Sequence, residues 1–295
     1  CLMEGLSHEA CSLAGHLNLS KIIVFFDDNS ISIDGPTKLS VSEDHIKRFQ
    51  SYGWDTISID GHNHNEISKA IKKARTNQHP TLIACKTKIG FGSPNKESTS
   101  ASHGSPLGDK EVELTRKKLR WLHPPFEIPQ NLLNDWRKFS KRNEISKNQW
   151  QKHYEKIKQN VTYKNYFDEK ISTDLLEKIN DFKSHHFTER TNCATRKASE
   201  LSLEIFVPNV KNLIGGSADL TGSNNTKTKE SKTITKDDFS GNYIYYGVRE
   251  HAMAAIMNGL SIHKGLKPYG GTFLIFTDYC RPSIRLAAIM GLPII

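Results

Sequence analysis

Hydrophobic and polar residues alternate along the first part of the chain in a pattern that predicts parallel βαβ units. Apolar residues recur at helical spacing at Leu6, Ala10, Leu13 and Leu17. The apolar run from Ile22 to Phe26 is typical of a strand buried on both faces. Further helices are predicted at residues 43–52, with Ser42 as N-cap, and 65–75, and further strands at 55–60 and 81–85. Because ligands bind at the carboxyl ends of such strands, the residues that follow each strand are functional candidates.

The second part of the chain predicts a linker followed by another domain with the same alternation. Prolines at 124, 125 and 129 end the first domain, and the basic stretch 130–187, with Trp136 and Trp150, predicts a helical linker that packs on the domains. Helices are then predicted at 196–206, 250–263 and around 273–284, and strands at 212–215 and 242–246. We therefore predict an α/β fold with parallel-sheet domains at 1–125 and 188–295, both incomplete, joined by a helical linker at 126–187.

Composition places the chain among soluble globular proteins. Of 295 residues, 36% are hydrophobic and 25% charged, and every apolar stretch is too short to cross a bilayer, so no membrane partner is expected. Five scattered cysteines favour reduced thiols and a cytoplasmic location. Because the chain begins at Cys1 inside a helical pattern and ends in the apolar run from Gly291 to Ile295, we expect a fragment, and a targeting signal could lie upstream.

The formal net charge is +9, with much of the excess between Arg116 and Lys183. This excess could bind nucleic acid, attract anionic substrates, or belong to a solvated helical connector. The connector is favoured over a nucleic-acid partner because no aromatic-interleaved RNA motif accompanies the charge.

Polar residues after the first predicted strand offer oxygen ligands. The amide of Asn29 and, two residues on, the backbone carbonyl of Ile31 are hard ligands of the kind that Mg2+ shares with phosphate oxygens. A turn without a metal explains the same residues. His62 and His64 are better explained by capping and solvent contact than by a metal.

Three segments in the second domain are candidates for binding or catalysis. Gly215 and Gly216 allow a close approach to the backbone, and Ser217 and Asp219 are expected to be exposed there or to cap a helix. Glu250 starts a helix, where the helix dipole alone favours an acid. Aromatic residues recur every three positions at Phe273, Phe276 and Tyr279, which indicates core packing or a flat wall for an aromatic ring.

Together, in order and with closely similar gaps, these motifs resemble the transketolase family. The matching segments run from Cys1-Leu2-Met3-Glu4-Gly5 to Asp34-Gly35, from Lys86-Thr87 to Pro94-Asn95-Lys96, through Ser102-His103-Gly104 and Gly215 to Leu220, and over Gly247-Val248-Arg249-Glu250. The resemblance implies two domains of the thiamine-diphosphate-binding fold and a homodimer with active sites at the subunit interface. It also implies reversible transfer of a two-carbon ketol group between sugar phosphates in the pentose phosphate pathway.

The resemblance also implies roles for individual residues. Glu250 resembles the catalytic glutamate, which hydrogen-bonds to the pyrimidine of thiamine diphosphate, and His103 the catalytic histidine close to both cofactor and substrate. Asn29 and Ile31 match the ligands of Mg2+ or of another divalent cation such as Ca2+ or Mn2+. Phe276 matches the aromatic residue that stacks on the pyrimidine. The remaining assignments are Asp219, Phe273 and Tyr279 to the cofactor, and Arg196 and Ser223, with His103, to the substrate.

The sequence departs from the family pattern at several points. A metal-binding aspartate would precede Cys1, so the fragment alone is expected to bind cofactor poorly and to be inactive. Ser100 stands where many relatives have a second histidine, and Glu4 matches a glutamate near the dimer interface.

The alternatives are a related enzyme, such as dihydroxyacetone synthase or deoxyxylulose-phosphate synthase, or a basic nucleic-acid-binding module. Arg196 and Ser223 favour a phosphorylated acceptor.

Overall fold

The computed structural model describes residues 2–167 and 171–295, which form two compact units. The N-terminal unit consists of Leu2 and Ala14–Gln149, and the C-terminal unit consists of Met3–Leu13 and Trp150–Ile295. The boundaries predicted from sequence, at 125 and 187, therefore stay a prediction.

The helices and strands follow the predicted alternation. The strands are β1 (Ile23–Asp28), β2 (Ile31–Ser32), β3 (Gly35–Pro36), β4 (Asp55–Asp60), β5 (Thr81–Lys86), β6 (Leu213–Ser217), β7 (Tyr243–Tyr245) and β8 (Lys267–Pro268). The helices are α1 (Gly5–His16), α2 (His45–Ser51), α3 (His64–Ala74), α4 (Asp109–Lys118), α5 (Gln130–Lys158), α6 (Val161–Phe167), α7 (Thr173–Thr188), α8 (Thr195–Asn209), α9 (Thr221–Asn224), α10 (Glu250–His263) and α11 (Thr277–Met290). Short 3-10 turns lie at Thr37–Leu39, Ser100–Ser102 and Leu274–Phe276.

The N-terminal unit is built on a parallel sheet in the order β1-β5-β4. The central strand β5 is buried from Thr81 to Cys85, and Ile83 and Cys85 pack with Ile59 and with the α3 residues Ala70 and Ala74. Full burial of a side chain such as Ile83 contributes about 1.5–3 kcal/mol. In the register of the sheet, Asp28 of β1 and Asp60 of β4 both lie opposite Lys86 of β5, so the three strands end at one edge of the sheet.

Two details of this unit differ from the predictions. The strand β1 is not buried on both faces, because Phe25 is half exposed. The N-cap of α2 is Asp44 and not Ser42: the Asp44 carboxylate accepts a hydrogen bond from the Lys47 backbone N–H at 3.1 Å. A carboxylate two residues closer to the helix satisfies the first turn better than the predicted serine.

The C-terminal unit contains a second parallel sheet, in the order β7-β6-β8. Its central strand β6 is buried along its whole length, and Gly215 is paired with Tyr243. The helices α10 and α11 are adjacent, and the buried Asn258 of α10 donates to the Ser283 carbonyl of α11 at 2.9 Å. The Tyr246 backbone N–H donates to the Ser217 carbonyl at 3.1 Å, so the chain that leads into α10 runs beside the carboxyl end of β6.

The linker is helical, as predicted, but its first helix does not pack as predicted. No residue of α5 is buried, and Trp136 is 77% exposed. Its basic residues are therefore solvated, in line with the favoured interpretation of the net charge. Among residues 2–167 and 171–295, no helix combines the length and the apolar character that a membrane span requires.

Candidate functional site

Glu250 is the first residue of α10, as the sequence predicts, and a fixed turn holds it there. The chain leaves β7, passes Gly247 at a φ of +66° and reaches Arg249, the N-cap. The Arg249 guanidinium donates to the Tyr246 carbonyl at 2.8 Å and to Ser12 Oγ at 3.0 Å. Tyr246, whose carbonyl accepts this bond, is itself buried. Burial raises the pKa of its phenol. Two hydrogen bonds from one side chain thus fix where Glu250 begins the helix.

A pocket of about 550 Å3 in the C-terminal unit brings several predicted residues together. Glu250, Asp219, Phe276 and Tyr279 all line it, and so does Glu4. The Phe276 and Tyr279 rings lie with centroids 5.8 Å apart and planes tilted by 34°. The pocket therefore pairs a carboxylate at a helix N-terminus with an aromatic wall.

The charge of this pocket is one-sided. Its lining includes the carboxylates of Glu4, Glu9, Asp219 and Glu250, and none of the described residues that line it is a lysine or arginine. Burial first, and then the charge of Glu250, raise the pKa of the nearby Cys280 thiol. A ring that carries hydrogen-bond donors suits such a lining, whereas a phosphate group does not.

The glycine pair before Asp219 behaves as predicted, but Ser217 does not. A Cβ on Gly215 would lie 1.8 Å from Tyr269 Cζ, so only glycine lets that ring pass against the strand. Ser217, which was expected to be exposed or to cap a helix, is fully buried, and its Oγ accepts from the Leu220 backbone N–H at 3.2 Å, just before α9. Its hydroxyl donates to the Gly271 carbonyl at 3.1 Å and accepts from Asn224 Nδ2 at 2.9 Å, because a buried hydroxyl needs partners. Asp219 itself is exposed, at a left-handed φ of +59°.

The three aromatic residues of the predicted stripe do not form core packing. Phe273 precedes the helix as the N-cap of the 3-10 turn, and both Phe273 and Tyr279 are exposed. Phe276 and Tyr279 line the acidic pocket, whereas Phe273 lines a different cavity of about 990 Å3. The wall is thus made by two of the three residues.

Arg196 and Ser223 lie together at the cavity that Phe273 lines. The Arg196 guanidinium donates to the Ser223 carbonyl at 3.4 Å, and its other donors have no hydrogen-bond acceptor among the residues that the structure describes. Arg196 is the second residue of α8, and Ser223 lies in α9, so two helix starts bring the pair together. A guanidinium beside a hydroxyl is a donor set for an anion such as phosphate.

In the N-terminal unit, Asn29 and Ile31 form one turn after β1. Asn29 Oδ1 accepts a hydrogen bond from the Ile31 backbone N–H at 3.0 Å, and Ser30 between them has a φ of +62°. Asp28 is held by an ion pair with Lys86 at the edge of the sheet. In the described part of the chain, no group of three or more His, Cys, Asp or Glu side chains could hold a metal ion. Two oxygen ligands fit a cation only if phosphate and water supply the others.

His103 belongs to the loop that follows β5, whereas His62 lies in the turn between β4 and α3. His103 is exposed and follows the Ser100–Ser102 turn, with its backbone N–H bonded to the Ser100 carbonyl at 2.9 Å. His62 Nε2 accepts from the Lys88 backbone N–H at 3.1 Å, and its ring stacks on Phe91 with centroids 4.2 Å apart. Within the described residues, no hydrogen bond joins His103 and Asn29.

One functional contact was missed by the sequence analysis. Glu9 lines the acidic pocket, and its carboxylate accepts from the Ala252 backbone N–H at 2.9 Å in the first turn of α10. Nothing in the local sequence indicates this contact, because the two residues are more than 240 positions apart.

Comparison with protein families gives two matches, one after the other along the chain. Residues 1–175 match the family model described as "Transketolase, thiamine diphosphate binding domain", and residues 191–295 match "Transketolase, pyrimidine binding domain". A transketolase of Sinorhizobium medicae is 45% identical over 295 residues, covering 100% of this chain and 42% of the relative. Transketolase 2 of Vibrio vulnificus is 47% identical, with 98% of this chain and 44% of the relative covered.

Solved structures agree. A variant transketolase from Pichia stipitis in complex with fructose 6-phosphate has a TM-score of 0.87 and 36% identity, over 100% of this chain and 45% of that one. The transketolase of Campylobacter jejuni has a TM-score of 0.81 and 30% identity, over 99% and 44%. The chain thus spans less than half the length of the relatives that it matches.

Proposed function

Because the chain belongs to the transketolase family, we propose that the protein containing it, called here the whole protein, transfers a two-carbon ketol group from a ketose phosphate to an aldose phosphate. The reaction makes it a transferase that uses thiamine diphosphate, for which the chain carries both family domains. The pentose phosphate pathway and a cytoplasmic location are the setting we propose.

The acidic pocket carries this proposal. It holds a carboxylate, Glu250, at a helix start and an aromatic wall, Phe276 with Tyr279, in one unit. These groups suit an aminopyrimidine: Phe276 would provide the stacking surface for the ring, and Glu250 would hydrogen-bond to a ring nitrogen. When bound, thiamine diphosphate supplies the electron sink for breaking the carbon–carbon bond.

Glu250 holds the proton that the reaction needs at the pyrimidine. Arg249 and Glu9 keep the α10 start in place, so the carboxyl stays at one distance from the ring. Asp219, on its left-handed turn, lines the same pocket. The surrounding carboxylates favour a ring with donors facing Glu250 over an anion.

Asn29 and Ile31 are our proposed ligands for a divalent cation, Mg2+ or a similar ion such as Ca2+ or Mn2+. Each offers one oxygen, and Asn29 Oδ1, which accepts from the Ile31 backbone N–H, has a second lone pair for an ion. A cation held there would need further oxygens, which a diphosphate would supply. This dependence predicts that the two ligands bind metal weakly without diphosphate.

Arg196 and Ser223 are our proposed contacts for the substrate phosphate, and His103 for the substrate near the cofactor. The open guanidinium donors of Arg196 support this assignment. Related structures hold fructose 6-phosphate and xylulose 5-phosphate, as expected for sugar-phosphate substrates. We further propose a homodimer with active sites at the subunit interface.

A substrate panel tests the proposal. The whole protein, with thiamine diphosphate and Mg2+, is assayed with xylulose phosphate plus ribose phosphate, and separately with formaldehyde or pyruvate as the second substrate. Ketol transfer to ribose phosphate alone is expected. Preference for formaldehyde would indicate a dihydroxyacetone synthase, and salt-sensitive DNA binding without cofactor affinity would contradict the enzyme assignment.

A further inference from the structure

The loop from Thr87 to Gly108 is tied to α4 by a buried carboxylate. Glu111 is only 7% exposed, although it lies on a helix whose other acids face solvent. Its Oε1 accepts hydrogen bonds from Ser93 Oγ and from the Asn95 backbone N–H at 2.8 Å, and its Oε2 accepts from Asn95 Nδ2 at 2.9 Å. These bonds, with Ser93 contributing most, lower the pKa of Glu111 to about 2, so it is ionised at neutral pH.

From Ser93, hydrogen bonds continue to the residue before His103. Ser93 Oγ accepts from the Lys96 backbone N–H at 3.1 Å, and the Lys96 carbonyl accepts from Ser102 Oγ at 2.5 Å. Glycine at position 90 makes this closure possible, because a Cβ there would lie 2.4 Å from Ser102 Oγ. The route from Glu111 to Ser102 is therefore continuous, and each member is fixed by the one before.

A second tie closes the loop on the far side of His103. Lys96 Nζ donates to the Leu107 carbonyl at 2.8 Å. Lys96 thus bonds the chain both before and after His103, through Ser102 and through Leu107. His103 itself is exposed, and within residues 2–167 and 171–295 its one hydrogen bond is the backbone bond to Ser100, so its position depends on these neighbours.

We propose that Glu111 is a positioning residue for His103 and acts through Ser93, Lys96 and Ser102. The carboxylate does not touch substrate; it fixes the turn that holds Lys96, and Lys96 fixes the segment that carries His103. The functional consequence rests on the proposed function, in which His103 contacts the substrate. The structural consequence, an ordered His103 segment, does not.

The variants separate positioning from general stability. Glu111→Ala removes all three acceptor contacts, whereas Ser93→Ala removes the hydroxyl that joins Glu111 to the Lys96 backbone N–H and leaves both Asn95 contacts of Glu111. Glu111→Gln keeps the oxygen that serves Ser93 and the Asn95 backbone, and a flipped Asn95 amide can meet its new NH2 group. Glu113→Gln is the matched control, since Glu113 lies on the same helix, is exposed and pairs only with Lys117.

The first readout is hydrogen exchange in the whole protein, below its unfolding temperature. Glu111→Ala and Ser93→Ala should both speed exchange of the Lys96 and His103 backbone amides at least tenfold, while the β5 amides and the Glu113→Gln variant stay unchanged. Unchanged exchange at His103 in both alanine variants would overturn the proposal. This readout holds whether or not the whole protein is a transketolase.

The second readout is steady-state kinetics of the whole protein. Misplacing a substrate contact by about 1 Å can cost 100-fold in rate. Glu111→Ala should therefore lower kcat/KM for the ketose phosphate roughly 10- to 100-fold, with Glu111→Gln restoring most of it. A lower unfolding temperature with unchanged kcat/KM would assign Glu111 a purely structural role and overturn the proposal.

Discussion

The Glu9 carboxylate accepts a hydrogen bond from the Ala252 backbone N–H at 2.9 Å, two residues after Glu250. Helix N-termini leave their first N–H groups without partners inside the helix, and Arg249, the N-cap, provides no side-chain cap. Glu9 therefore supplies from α1 the cap that α10 lacks in its own sequence. The acid that stabilises the helix start thereby also fixes the backbone that carries Glu250.

Replacing Glu9 by alanine should loosen the start of α10. Loss of such a cap costs about 0.5–2 kcal/mol, which corresponds to roughly 2- to 30-fold faster hydrogen exchange of the Ala252 amide. Glu9→Gln keeps a side-chain oxygen and should show a smaller change. Equal exchange at Ala252 in wild type and Glu9→Ala would mean that the contact does not cap the helix.

Replacing Arg196 should weaken binding of phosphorylated substrates selectively. Hydrogen bonds to a charged group contribute about 1.5–3 kcal/mol, so Arg196→Ala should raise the KM for ribose phosphate in the whole protein roughly 10- to 150-fold. Arg196→Lys, which keeps charge but loses the fork, should fall in between. An unphosphorylated aldose serves as the control substrate. An equal rise in its KM would show that Arg196 does not contact the substrate phosphate.

Two glycines of the C-terminal unit should respond in opposite directions to alanine. Gly215→Ala places a methyl group 1.8 Å from the buried Tyr269 ring and should lower the free energy of unfolding by about 1–3 kcal/mol. Gly259 lies in the middle of α10, and a Cβ added there would meet no neighbouring atom within 4 Å. Gly259→Ala should therefore raise the free energy of unfolding by about 0.5–1 kcal/mol. Urea titrations measure both, and a harmless Gly215→Ala would contradict the close approach.

The buried Glu111 should make stability depend on pH on the acid side. Its pKa is about 2 in the folded chain and about 4.3 in an unfolded chain. The ionised carboxylate therefore contributes its full stability above about pH 4.3, and this contribution is lost as pH falls towards about 2.

Melting temperatures from pH 5 to pH 2 test that sign. The melting temperature of Glu111→Gln should fall less steeply with decreasing pH than that of wild type. Salt at 1 M should leave this difference intact, because Glu111 interacts with its partners through buried hydrogen bonds. Lys117 lowers the pKa of the exposed Glu113, so Glu113→Gln should show a smaller effect that salt removes. Identical pH profiles for Glu111→Gln and wild type would refute the linkage.

Local signals in the sequence predicted most elements but not the long-range contacts. The strand at Asp55–Asp60 and the helix at Glu250–His263 have the predicted bounds, because apolar periodicity and turn residues mark them directly. The burial of Ser217 and the exposure of Phe25 were not predicted, since each depends on which elements cover the residue. The cap from Glu9 and the split of Phe273 from Phe276 likewise arise only from tertiary packing.

The roles of individual residues came from the family resemblance and stay predictions, although the structure brings some of these residues together. Glu250, Phe276 and Tyr279 share one pocket, and Arg196 meets Ser223 at another. Asn29 and His103 lie in the N-terminal unit, and their roles remain predictions. Physical chemistry alone favoured none of these roles, because a glutamate at a helix start or an asparagine in a turn is ordinary.

The central claim is that Glu250 controls a proton on thiamine diphosphate, and proton exchange measures it directly. In the whole protein with cofactor and Mg2+, the exchange rate of the thiazolium C2 proton with solvent deuterium is followed by NMR, for wild type, Glu250→Gln and Glu250→Ala. Both variants should fold normally, keep similar cofactor affinity, exchange this proton about 10²- to 10⁴-fold more slowly, and lose turnover. Exchange at the wild-type rate in cofactor-bound Glu250→Ala would contradict the account.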